Sequence, residues 1–183
     1  MNAQGLILVD LQNDYFPGGR MELEAIEAAA GRAARLLRQF RDRALPVFHV
    51  RHVADRPGAT FFLPGTPGAD IHATVAPAPG EAVVVKHFPN SFRETDLLDR
   101  LRQAKIGSVT ICGAMSHMCI DATTRAAFDL GFACRVADDA CATRALAFGS
   151  VSVPAAQVHA AFMAALSAAY AQVLTTAELL AAA

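Results

Sequence analysis

Six short apolar runs recur along the chain: GLILVDL (5–11), LPVFHV (45–50), AVVVK (82–86), SVTIC (108–112), ACRVA (133–137) and QVLT (172–175). Each has the length and β-branched content of a strand, and helical patterns separate most of them. The helical stretches cover roughly 24–43, 94–104, 119–130 and 154–170. In the first, Ile26, Leu36, Leu37 and Phe40 share an apolar face; in the last, Pro154 stands in a first turn that needs no N–H. Strands alternating with helices imply parallel pairing through crossover helices, and the VVV run at 83–85, apolar on both faces, fits a sheet covered on each side. The predicted architecture is a doubly wound α/β three-layer sandwich around a mainly parallel six-stranded sheet. With 183 residues, 54% of them hydrophobic, the chain is expected to bury one core, giving a single domain over 1–183.

Charge and cysteine usage narrow the function. The formal net charge is −1 and the basic residues are scattered, so no footprint for nucleic acid or an anionic membrane stands out. A small-molecule ligand is expected instead. The apolar stretch 165–183 is interrupted by Gln172, Thr175, Thr176 and Glu178, which argues against a membrane span. The N-terminus shows no basic leader followed by an apolar signal core, which predicts cytoplasmic residence. Cys112, Cys119, Cys134 and Cys141 form no CxxC pair and no zinc-type spacing, so reduced thiols are expected. Neither a dinucleotide fingerprint nor a P-loop is present.

In doubly wound sheets, ligands bind beyond the carboxyl ends of the strands near the switch in strand order. Asp10 closes the first strand, Lys86 the third, and Cys119 follows the fourth after the loop GAMSHM. Cys119 begins a helical stretch, where free N–H groups and the helix dipole favour a thiolate. Lys86, one of only two lysines beside Lys105, ends an apolar run, where its ammonium either snorkels to solvent or sits beside an anion. Asp10 is placed to take the thiol proton or to cap the following turn, while Asp14 reads as a turn residue within NDYFPGG. His117 is a competing partner for Cys119, although two residues of loop need not bring the side chains together. His49, His52 and His72 are candidate metal ligands, but no carboxylate intervenes between the first two and Arg51 opposes a cation. His159 reads as a helix packing residue. The stretch 51–81, rich in Gly and Pro, is a candidate pocket wall or lid.

These residues resemble those of the isochorismatase-like cysteine hydrolases, which include nicotinamidases and carbamoylsarcosine amidases. The resemblance is carried by LILVDLQNDYF around Asp10, VVKHFPNSF around Lys86 and GAMSHMCIDATTRAAFDLGF around Cys119, and it spans nearly the whole chain. It implies a catalytic Asp10–Lys86–Cys119 triad and a cis peptide between Ala114 and Met115. It also implies an oxyanion hole from the N–H groups of Met115 and Cys119. It suggests a pocket walled by Phe16, Phe61, Phe62, Phe88 and Phe92, with His117 beside it, although each phenylalanine is equally suited to the core. The segment HVRHVADRPG departs from the metal motif of nicotinamidases, so neither a metal nor any other cofactor is expected. The activity implied is hydrolysis of a small amide through a thioester. The alternatives are vinyl-ether hydrolysis of the isochorismatase type and a ligand-binding or thiol-sensing domain. A homo-oligomer is expected from the family.

Overall fold

A computed structural model describes residues 3–182. Its main sheet contains β1 (Ala3–Val9), β2 (Val47–His52), β3 (Ala82–Lys86), β4 (Ile106–Ala114), β5 (Ala133–Ala142) and β8 (Gln172–Leu174). The order is β3-β2-β1-β4-β5-β8 and every neighbouring pair is parallel. The expected six-stranded doubly wound sheet is therefore present. α1 (Ile26–Asp42) connects β1 to β2, while α2 (Leu97–Gln103), α3 (Asp121–Asp129) and α4 (Ala155–Ala169) make the crossovers in the opposite direction along the sheet. Right-handed crossovers that reverse direction place helices on opposite faces, with the reversal between β1 and β4.

Burial explains the positions of the strands. β1 is central, and Leu6, Ile7, Leu8 and Val9 are all buried. β3 lies at the sheet edge, so Val83 and Val85 are 40% and 41% exposed. The valine run thus forms an edge strand with one open face, contrary to the fully covered strand that its composition suggests. Two elements went unforeseen. A hairpin, β6 (Leu146–Phe148) and β7 (Val151–Val153), carries Phe148 at 91% exposure. A short terminal helix, α5 (Thr176–Ala181), starts with a capping box in which Thr175 and Glu178 exchange hydrogen bonds. Among the described residues, no helix is long and apolar enough to cross a membrane.

The long connection from β2 to β3 is ordered against the loop that follows β1. Gln12 clamps it at both ends of its side-chain amide: Nε2 donates to the carbonyls of His52 and Ala69, each at 2.8 Å, and Oε1 accepts from His52 N–H at 2.7 Å. The buried Asp14 carboxylate accepts from Phe62 N–H at 2.6 Å, and Gly68 packs so closely on it that a Cβ there would strike the carboxylate. Asp14 is therefore an anchor of the pocket wall as well as a turn residue. Farther on, Glu81 takes a bidentate contact from Arg41 and another from His49 at 2.8 Å, fixing the return into β3.

Gly113 shows how tightly the strand ends converge. It has φ 128°, and a Cβ there would fall on the backbone of Val9, one residue before Asp10. Only glycine accommodates both the dihedral and the approach. Gly113→Ala is expected to destabilise the fold by at least about 3 kcal/mol, measured by urea unfolding, because strain and steric exclusion act together.

Candidate active site

The carboxyl ends of β1, β2 and β3 carry Asp10, His52 and Lys86, and the turn after β4 brings Cys119 above them. Asp10 leaves β1 with φ 52°, its N–H bonded to Val50 O at 3.0 Å, so the chain turns at this residue. Lys86 pairs in register with His52 on the neighbouring strand. Cys119 lies within a wide turn, Ser116–Ile120, in which Ile120 N–H reaches back to Met115 O at 3.2 Å before α3 starts at Asp121. The peptide bond between Ala114 and Met115 is cis.

Lys86 is the hub. Its Nζ lies 2.7 Å from Asp10 Oδ2, 2.9 Å from His52 Nδ1 and 3.2 Å from Cys119 Sγ, so its three donors face three partners. Asp10 and Lys86 have no exposed side-chain surface, and Cys119 is 6% exposed. The Asp10 contact is an ion pair lying off ideal hydrogen-bond alignment. Both carboxylate oxygens consequently keep lone pairs able to receive a proton.

Burial dominates the protonation states. It opposes the Lys86 ammonium, but the combined attraction of Asp10 and Cys119 raises the lysine pKa nonetheless. Burial also pushes the Cys119 thiol up, with Asp10 adding to the rise and Lys86 opposing it. Cys119 does not open a helix, as the sequence suggests, but lies within the turn ahead of α3, where desolvation acts against the thiolate and Lys86 acts for it. His52 is lowered to about 4 by burial and by Lys86, so the ring stays neutral and its Nδ1 accepts from the ammonium. Tyr15 is raised well above the ordinary phenol range, first by burial and then by Asp10 and Cys119.

The metal question has a geometric answer. Asp10, His52 and Cys119 present ligand atoms within 4.8 Å of one another, the donor set of a metal site. The Lys86 ammonium, however, stands in contact with all three and supplies the cation that those groups would otherwise share. The residues present do not fit a metal without expelling that side chain. The three candidate histidines are also separately engaged: His49 on Glu81, His52 on Lys86, and His72 stacked on Phe16 at 3.6 Å.

A cavity of about 310 Å³ opens beside Cys119. Phe61, Phe62 and Phe88 line it, as the resemblance suggests, together with Tyr15, His52, Met115 and Met118. Phe16, Phe92 and His117 do not. Phe16 is buried against His72, Phe92 packs on Phe132 with ring centres 6.3 Å apart, and His117 Nδ1 meets Thr143 Oγ1 at 2.6 Å. That contact also removes His117 as a partner for Cys119. His159 bonds Ser116 Oγ at 2.8 Å, so it braces the turn that carries Cys119 instead of merely packing α4. Tyr15 was overlooked because NDYFPGG has the composition of a loop; its adjacency to the β1 terminus was the available signal. Met118, next to Cys119, was equally open to recognition.

A buried Cys–Lys–Asp cluster at the switch point of a parallel α/β sheet, beside an apolar cavity, defines a hydrolase-type site. The isochorismatase domain matches residues 4–178. The chain is 51% identical over 171 residues to the isochorismatase family protein YddQ of Bacillus subtilis, covering 93% of this chain and 95% of that protein. A crystal structure from Oleispira antarctica, assigned to the isochorismatase hydrolases, superposes with TM-score 0.95 at 56% identity, covering 98% of this chain and 97% of that one. A nicotinamidase/pyrazinamidase of Mycobacterium tuberculosis is 29% identical over 157 residues, 74% of this chain and 84% of that protein. The chain belongs to the isochorismatase family.

The depressed His52 pKa makes stability depend on pH. The unfolded imidazole takes up a proton near its ordinary value of 6.5, whereas the folded one resists until about 4. Between these values the unfolded chain binds more protons, so stability falls as pH drops through that window and is regained as pH rises. His49, His117 and His159, also lowered mainly by burial, act in the same direction. Urea unfolding from pH 7 to pH 4 is expected to show this decline, with a shallower slope in His52→Gln.

Proposed function

We propose that the protein hydrolyses the C–N bond of a small amide through a thioester on Cys119. The observation that carries this reading is the placement of one ammonium 2.7 Å from Asp10 and 3.2 Å from Cys119, at the edge of a cavity of substrate size. The resting cluster holds a thiol, a carboxylate and an ammonium. Moving the thiol proton to Asp10 gives a thiolate, a carboxylic acid and the same ammonium, so the total charge of the buried cluster is unchanged. Lys86 stabilises the anion on either side of the transfer.

As Sγ attacks the carbonyl carbon, its proton passes to Asp10 and the oxygen becomes an oxyanion, held by the N–H groups of Met115 and Cys119. Collapse breaks the C–N bond. The leaving nitrogen takes the proton from Asp10 and departs as ammonia or an amine, leaving the acyl group on sulfur. Asp10 then deprotonates a water that attacks the thioester; the acid leaves, and the thiol regains its proton. The chemistry consumes only water. Phe61, Phe62 and Phe88 exclude solvent from the thioester and favour a flat or apolar acyl group. A relative named as a nicotinamidase/pyrazinamidase supports C–N cleavage over cleavage of a vinyl ether.

A screen of primary and secondary amides, read by ammonia or amine release, tests this function. Cys119→Ala is expected to abolish turnover, and Asp10→Asn to lower kcat by about 10²–10⁴-fold through loss of the base. Isochorismate cleavage that persists in Cys119→Ala, with no amide hydrolysed by the native enzyme, would replace the proposal with ether hydrolysis.

A further inference from the structure

Besides the Cys119 contact with Lys86, two side chains of the turn Ser116–Ile120 bind the end of β5 and α4. His117 Nδ1 meets Thr143 Oγ1, and the His117 ring stands edge-on to Phe162 of α4. Ser116 Oγ lies 3.3 Å from the carbonyl oxygen of Ala142 and 2.8 Å from His159 Nδ1. The contacts at Ser116 fix a tautomer. A hydroxyl has one hydrogen and the carbonyl can only accept it, so the hydrogen between Ser116 and His159 is carried by Nδ1. Ser116 has no exposed surface, so loss of that donor leaves its oxygen short of a partner. Next to it, Met115 O accepts from the N–H groups of Met118 at 3.0 Å and Ile120 at 3.2 Å, which turns the carbonyl towards the start of α3. Met115 N–H donates to no group among the described residues, and Met115 lines the cavity beside Cys119.

We infer that His159 is a positioning residue for the oxyanion hole: its Nδ1–H, acting through Ser116, fixes the direction of Met115 N–H relative to the Cys119 sulfur. His159 lies outside the cavity lining, so its effect reaches a bound molecule only through the turn. A donor aimed at a developing oxyanion works by being held in place before charge appears, and a small displacement costs far more in rate than in stability. α4 supplies the rigid support from which that donor is held, because His159 and Phe162 stand on the same helix. The inference rests on the amidase reading for what the hole receives. The geometry of the hole, however, is measurable without turnover.

The test measures the affinity of an aldehyde, hydrocinnamaldehyde, which adds to Cys119 as a hemithioacetal. The S–C bond forms, the thiol proton passes to the former carbonyl oxygen, and that oxygen occupies the hole. Adduct formation is read by mass spectrometry as protection of Cys119 from iodoacetamide; alkylation without aldehyde makes no use of the hole and serves as the control. The variants are His159→Leu, His159→Gln and His159→Asn, of which only asparagine places an amide N–H close to the position of Nδ1. Leucine and glutamine are expected to weaken aldehyde binding about tenfold or more, as loss of an aligned oxyanion donor allows. Control alkylation and the thermal midpoint should move little, and asparagine should restore most of the affinity. If the leucine variant fails to fold, the comparison of glutamine with asparagine decides the matter alone. Native affinity in the glutamine variant, no gain from asparagine, an equal fall in control alkylation, or no adduct with the native protein would overturn the assignment. The expected pattern without hydrolysis of any amide would leave the role of His159 standing and remove the amidase reading alone.

Discussion

A buried ion pair between Asp10 and Lys86, in contact with the Cys119 sulfur, is the constraint around which the rest of the structure is arranged. Taking two charges out of water is costly, and a well-packed apolar pair in the same space is often more stable. The pair is therefore weak evidence for stability and strong evidence for use. Lysine suits the position better than arginine. Three acceptors surround a point, which matches a compact ammonium with three donors and mismatches a planar fork.

The fold supplies this arrangement through strand order. β1 and β3 flank β2, so Lys86 reaches Asp10 across one intervening strand, and His52 on that strand meets the ammonium on the way. On the other side, β4 approaches β1 closely enough that only glycine fits at position 113, which sets the start of the turn bearing Cys119. The loop after β1 then serves two ends. Asp10 faces Lys86, while Gln12 and Asp14 hold the long β2–β3 connection that walls the cavity. The Asp10–Lys86–Cys119 cluster and the cavity wall are thus coupled through a single five-residue stretch.

The architecture was legible because parallel sheets write themselves as apolar runs at strand length, and the switch-point rule led directly to Asp10, Lys86 and Cys119. The less visible features depended on contacts between distant segments. Nothing local in the VVV run distinguishes an edge strand from a central one. The phenylalanines divided according to where the long connection folds, so Phe61 and Phe62 reached the cavity whereas Phe16 was covered by His72. The role of Asp14 required knowing that Phe62, forty-eight residues away, returns to it. Sequence position suggested a helix start at Cys119, whereas the residue lies in the turn ahead of α3, where burial acts against the thiolate. The capping box at Thr175 and Glu178, by contrast, was present in the sequence as a readable signal for the last helix.

The central claim is that Cys119 rests as a thiol beside a carboxylate that takes its proton during attack, with Lys86 present throughout. The most direct measurement is the ultraviolet thiolate absorbance of the native protein minus that of Cys119→Ala, followed from neutral to alkaline pH. The structure predicts no Cys119 thiolate at neutral pH, because burial and Asp10 raise the thiol above its ordinary range. A full equivalent of thiolate at neutral pH would contradict the account and show that Lys86 alone ionises the sulfur.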